Sequence, residues 1–207
     1  MPVPVSGTEG YAEEAEALLR QYESIAFADV HRWVLHLIPD PPCRILDIGA
    51  GTGRDAAGFA ALGHHVLAVE PTGALRERAK ILHPSSRIEW LEDSLPDLTL
   101  VRACGWEFDV VMLSAVWMHL DERQRRTAMP HVAALVRPGG VMILSLRYGP
   151  VPTGRRMFAV TIDETTQLAA TENLHLVFSR ESQDSALGRP GVSWARLAFA
   201  KDAAPAV

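Results

Sequence analysis

The sequence has only two cysteines among its 207 residues, Cys43 and Cys104. They form no CxxC pair, so no disulfide framework or thiolate metal site is written here, and a reduced, cytoplasmic setting is the expectation. Lysine is almost missing: Lys80 and Lys201 stand among arginines. The net charge is −5 and there is no basic run, so no nucleic-acid partner is expected. No apolar stretch reaches the roughly 18 residues that cross a bilayer, and no leader-like segment opens the chain, so no membrane partner is expected either. The eight histidines show no HExxH or related spacing, and no metal site is expected. What remains is a 48% hydrophobic, 22% charged chain, long enough for one domain with a full core.

The most informative stretch is Arg44-Ile45-Leu46-Asp47-Ile48-Gly49-Ala50-Gly51-Thr52-Gly53-Arg54-Asp55. An apolar run ends in an acid, three glycines alternate, and a helix-compatible segment follows. This reads as strand, tight loop and helix start, where a ligand can lie against main chain and free N–H groups.

Around it the chain alternates strand and helix. Strands are expected at 45–48, 65–70, 87–91, 108–113 and 141–146, with helices at 55–62, 72–83, 97–104 and 121–136. Pro130 should kink the last of these, and Pro138-Gly139-Gly140 should turn the chain into the fifth strand. Nearly continuous apolar strands with helices between them predict an α/β doubly wound parallel sheet. Residues 8–38 carry helical periodicity, read as a helix pair that packs on the core or forms a lid with Tyr11 or Tyr22 reaching inward. The tail, with a helix at 163–171 and strands at 174–179 and 192–200, predicts an antiparallel hairpin. The ends, 1–7 and 203–207, are expected to be frayed. The chain is thus one domain, with a helical cap at 1–42, a cofactor-binding core at 43–148 and an acceptor-side region at 149–207.

Open α/β sheets bind ligands at the carboxyl ends of their strands. Glu70 ends the second strand, where a carboxylate can accept from vicinal ribose hydroxyls. The loop is not a dinucleotide fingerprint, because Arg54 stands where GxGxxG has its third glycine. Asp47 would repel a pyrophosphate and suits a ligand with an ammonium group. A nicotinamide-dependent oxidoreductase is therefore the remote alternative.

Leu46 to Gly53, the acid of Val69-Glu70-Pro71, Asp93-Ser94, the Phe108-Asp109 strand with its continuation from Ser114 to Leu120, and Arg137-Pro138-Gly139-Gly140 stand in an order and spacing that resembles the class I S-adenosylmethionine-dependent methyltransferases. The likeness is to the small, single-domain bacterial type and runs from about Arg44 to Leu146. It implies a Rossmann-like seven-stranded sheet with the last strand antiparallel, S-adenosylmethionine as cofactor and S-adenosylhomocysteine as product. By the resemblance, Gly49, Gly51 and Gly53 underlie the methionine and ribose, and Asp47 holds the ammonium. Glu70, beside Pro71, clamps the ribose. Asp93, Ser94 and Leu95 meet the adenine, and Ser114 borders the cofactor.

Methyl transfer needs an acceptor lone pair held in line, and for some acceptors a proton sink. His119, just past the fourth strand, is the candidate base. Trp117 is a candidate wall of the acceptor pocket. Arg147, Arg155, Arg156 and Arg189, with Tyr148 or Trp194 nearby, come from loops expected on the same edge and suit an anionic small-molecule acceptor. A protein or peptide acceptor, and a non-catalytic S-adenosylmethionine-binding role, are the other readings.

Overall fold

The computed structural model describes residues 5–183 and 187–203. Met1 to Pro4 and the tail beyond Ala203, parts of the expected frayed ends, lie outside the described residues.

The strands are β1 (Arg44–Ile48), β2 (His65–Val69), β3 (Ile88–Leu91), β4 (Phe108–Leu113), β5 (Val136–Tyr148), β6 (Leu174–Ser182) and β7 (Ser193–Lys201). They form one sheet in the order β3-β2-β1-β4-β5-β7-β6. β1 to β5 pair in parallel, and β7 runs antiparallel to both β5 and β6. β4 is buried at every position, as expected of a central strand covered on both faces. One face packs Leu46, Val111 and Met142 against the Ala128–Met129 stretch. The other packs Ile45, Met112, Ile143 and Ala198 against Ala56 and Phe59. The strand order reverses between β1 and β4, which opens the crevice where the site lies.

The helices are α1 (Ala15–Glu23), α2 (Phe27–His31), α3 (Arg54–Ala61), α4 (Gly73–Leu82), α5 (Thr99–Ala103), α6 (Glu122–Leu135) and α7 (Ile162–Ala170). Asp121 caps α6 with a reciprocal box: its side chain accepts from the Gln124 N–H, and the Gln124 side chain accepts from the Asp121 N–H. α6 continues through Pro130 as one helix. Buried Arg125 ties it to α7, with Nε 2.8 Å from Glu164 Oε1 and Nη1 2.6 Å from the Leu120 carbonyl.

Two expectations are corrected. The N-terminal segment is less helical than its periodicity implied: it is turns through Glu14, then the short helices α1 and α2 and a 3₁₀ turn at Leu35–Leu37. Its apolar spacing packs Tyr11, Ala15, Leu18 and Tyr22 around Leu75, which needs no continuous helix. Arg137-Pro138-Gly139-Gly140 does not precede the fifth strand but lies within β5. The register against β4 slips there, from Phe108 opposite Val136 to Val110 opposite Val141. An irregularity inside the strand absorbs the turn residues.

Candidate active site

A cavity of about 240 Å³ opens at the carboxyl edge of β1, β2, β4 and β5. Its floor is the loop after β1. Gly49 sits at φ 72° and Gly51 at φ 56°, the left-handed region that favours glycine. A Cβ on Gly49 would lie 2.5 Å from Val116 Cγ2, whereas one on Gly51 would have nothing nearer than 3.9 Å. The first glycine is thus needed for packing, and the second leaves room above the loop.

Asp47, Gly49, Gly51, Glu70, Pro71, Asp93, Ser94, Leu95 and Ser114 all border the cavity. Gly53 does not. It caps α3 at φ 84°, and a Cβ there would meet Trp90 and His83. Its role is to turn the chain into the helix.

Asp47 is buried, and its Oδ2 has no hydrogen-bond partner among the described residues. Burial, then the neighbouring Asp55 charge, raises its pKa well above the usual carboxylate value. Arg54 acts in the opposite sense but is paired with Asp55, so the free carboxyl oxygen has the cavity from which to gain a cationic partner. Glu70 accepts from the Gly51 N–H at 2.8 Å through one oxygen and from the Thr72 N–H at 2.7 Å through the other. Each oxygen keeps a lone pair for a further donor. Burial raises this pKa too, against the lowering effect of those two bonds. Asp93 is more committed: one oxygen takes the Leu100 and Val101 N–H groups at 2.8 and 2.9 Å, capping α5, and the other takes the Ser94 N–H at 2.8 Å.

On the opposite wall His119 is buried. Its Nδ1 lies 2.7 Å from the Arg156 carbonyl and its Nε2 lies 3.0 Å from the Tyr11 hydroxyl. A carbonyl only accepts, so Nδ1 carries the proton and Nε2 accepts from Tyr11. Burial lowers the His119 pKa and raises that of Tyr11. The imidazole is therefore neutral near pH 7, and both it and the phenol border the cavity.

The expected arginine cluster divides. Arg147 and Arg189 border the cavity, with Trp194 beside them. Arg147 donates to the Pro150 carbonyl at 2.8 Å, while its buried Nε has no partner among the described residues. Burial, then the Arg189 charge, lowers its pKa. Arg189 donates to Gln21 Oε1 at 2.6 Å. Neither forms an ion pair among the described residues.

Four acceptor-side expectations are corrected. Arg155 and Arg156 do not border the cavity, because the cap uses them. Arg155 pairs with Glu14 at 2.7 Å and stacks on the Tyr11 ring at 4.2 Å. Arg156 reaches Asp121 at 3.5 Å and also contacts the Ser6 hydroxyl. Trp117, at 0% exposure, is core rather than pocket wall. Tyr148 packs against the same core outside the cavity.

The sequence reading had Tyr11 only as one of two residues of a lid, without its partner, and did not include Arg196. Tyr11 meets His119 across 108 residues, which no local pattern reveals. Arg196 also borders the cavity. Its signal was present, since it alternates with Trp194 and Ala198 on the inward face of a strand, where a charge needs a reason. No group of three metal-ligating side chains occurs among the described residues, and none of their helices is long and apolar enough to cross a membrane.

Residues 45–140 match the sequence profile of a methyltransferase domain. The glycine N-methyltransferase of Mus musculus is 29% identical over 201 residues, covering 83% of this chain and 69% of that one. Among solved structures, the fold is shared with the 1,6-didemethyltoxoflavin-N1-methyltransferase of Burkholderia thailandensis, solved with 1,6-didemethyltoxoflavin and S-adenosylhomocysteine (TM-score 0.68, 21% identity, 98% of this chain and 92% of that one). It is shared equally with a TehB-like S-adenosylmethionine-dependent methyltransferase of Corynebacterium glutamicum (TM-score 0.70, 21% identity, 92% of this chain and 99% of that one). With an unpaired acid beneath a left-handed glycine loop, a second acid at the end of β2 and this strand order, the chain carries a methyltransferase domain and is similar to the class I S-adenosylmethionine-dependent methyltransferases.

Proposed function

We propose that the chain methylates a small molecule bearing an anionic group, and that Arg147 holds that group. The observation carrying this is the buried guanidinium on the cavity wall, with Nε unpartnered and no carboxylate paired to it among the described residues. A desolvated arginine without a counter-ion is costly, and a planar carboxylate or phosphate matches its fork. Arg189, close enough to lower the Arg147 pKa, strengthens the same preference. The relatives named glycine N-methyltransferase act, by that name, on a molecule with a carboxylate, in keeping with this reading.

S-adenosylmethionine supplies a methyl group already activated on a sulfonium. The chain's own part is to hold the two reactants in line, exclude water and accept a proton. In this reading Asp47 holds the cofactor's ammonium and Glu70 its ribose hydroxyls, over the backbone of Gly49 and Gly51. Asp93, Ser94 and Leu95 border the adenine, with Asp93 offering only the lone pairs its backbone bonds leave. The Tyr11 oxygen faces the acceptor. It takes a proton from an amine or hydroxyl as its own proton passes to His119 Nε2, and the Arg156 carbonyl steadies the resulting imidazolium through Nδ1.

Thermal shifts of the S-adenosylhomocysteine-bound protein with acetate, glycine and phosphate test the anion site without a known acceptor. At least one of these anions should stabilise the wild type, and Arg147→Ala should abolish the effect. Equal shifts in the two proteins would reject Arg147 as the anchor.

A further inference from the structure

A row of polar side chains crosses the sheet at its carboxyl edge. Asp47 lies on β1, Ser114 just past β4, Ser145 on β5 and Arg196 on β7. Arg196 is directly opposite Ser145. Leu113 is opposite Leu144, which sets Ser114 level with Ser145, and Asp47 is opposite Met112, two residues earlier. Side chains two apart share a face, so the row continues the face of Ile45, Met112, Ile143 and Ala198 that packs against α3. All four residues border the cavity.

The row is ordered by charge: an acid at one end, two hydroxyls between, a guanidinium at the other. β1 and β7 are three strand spacings apart, about 14 Å between backbones. Aspartate and arginine side chains reach in from the two ends and leave a gap suited to the ammonium and carboxylate of one α-amino acid. The middle stays low, since Ser145 Oγ is turned down to accept the Ala115 N–H at 2.8 Å.

Arg196 has a free hand for this. Its Nε donates to the Val30 carbonyl at 3.0 Å, and it forms no ion pair among the described residues. The other cation near the amino-acid end, Arg54, is committed to Asp55 at 2.8 Å. Asp55 in turn is held by His31 at 2.8 Å, so it is not available to Arg196. A cofactor with a zwitterionic amino-acid end brings one positive and one negative group. Asp47 answers the first, and the second still needs a cation.

We infer that Arg196 is the counter-ion for the α-carboxylate of the bound cofactor and forms, with Asp47, a two-ended clamp on its amino-acid part. This rests on the placement of the ammonium over Asp47 proposed above, and it separates two arginines on one wall: Arg196 serves the cofactor and Arg147 the acceptor.

Calorimetric titration with S-adenosylhomocysteine and with its decarboxylated analogue, the same thioether lacking only the carboxylate, tests the clamp without an acceptor. Wild type should bind the decarboxylated compound at least tenfold more weakly. Arg196→Ala should weaken S-adenosylhomocysteine at least tenfold and leave the decarboxylated compound within twofold, with Arg196→Lys intermediate. Equal affinities of the two ligands for wild type would overturn the inference on the unmodified protein, whatever the variants do. So would an Arg196→Ala loss shared equally by both. Asp47→Asn should weaken both ligands. If it weakens neither while Arg196→Ala behaves as stated, the Asp47 reading fails and the carboxylate site stands.

Discussion

Removing the charge of Asp47 should make the ligand-free protein more stable and the cofactor complex weaker. At 1% exposure, with one carboxyl oxygen unpartnered, the group is held away from the solvation its charged form needs. Its pKa in the folded chain is raised, by burial first and by Asp55 next. The folded state therefore keeps this proton to higher pH than the unfolded chain, whose aspartate titrates near ~3.9. Stability from this group is full below that value and is lost as pH rises through the folded pKa. Asp47→Asn retains an oxygen for the Ala56 N–H, which Asp47 now accepts. Relief of a buried group left without its partner is worth about 1–3 kcal/mol. For a chain of this length that raises Tm by about 2–12 °C at pH 7. The gain should shrink toward pH 4, where wild-type Asp47 is protonated as well. The same change removes a charge-assisted bond worth about 1.5–3 kcal/mol to a bound ammonium, roughly a ten- to hundredfold loss of S-adenosylhomocysteine affinity. Scanning fluorimetry across pH and calorimetry read both halves. A variant less stable than wild type without ligand would refute the unpaired charge, and undiminished affinity would refute the ammonium contact.

Gly49→Ala should destabilise by about 2–5 kcal/mol, combining left-handed strain with the Val116 clash, while Gly51→Ala should show only the strain of about 1–2 kcal/mol. Urea midpoints distinguish the two. Arg125→Ala leaves Glu164 and two carbonyls without their donor and should lower stability by about 3–5 kcal/mol, measured in the same way. For a proton-releasing acceptor, kcat/KM should fall on the acid side with an apparent pKa below the usual histidine value, since burial lowers that of His119. Tyr11→Phe should reduce kcat about a hundredfold and flatten that limb. An unchanged pH profile would remove Tyr11 and His119 from proton transfer.

The sheet was legible because its strands are nearly pure apolar runs separated by helical periodicity, a pattern that permits few topologies. The floor of the site was legible for a related reason. Gly49, Gly51, Asp47 and Glu70 sit at fixed offsets from strand ends, so local sequence carries their geometry. The acceptor wall was not, because it is assembled across the chain. Arg155 and Arg156 follow strand five as closely as an acceptor loop would, yet Glu14 and Ser6 draw them into holding the cap. Trp117 stands beside the ligand edge in sequence, but the 3₁₀ turn at Trp117–His119 faces it into the core and turns His119 to the cavity. Tyr11 lay in a segment whose apolar spacing suggested helix, whereas its hydroxyl is fixed by a residue 108 positions away. The cap as a whole leans on the cofactor loop through the Thr52 hydroxyl, which donates to Glu23 Oε1 at 2.6 Å. No periodicity encodes that bond.

The most direct test of the account is steady-state formation of S-adenosylhomocysteine with paired acceptors that differ only in an anionic group, such as an amino acid and its amide, for wild type and Arg147→Ala. The account predicts turnover of the anionic member, with a KM raised at least tenfold by Arg147→Ala. Turnover confined to the neutral member, or a KM that Arg147→Ala leaves unchanged, would contradict it.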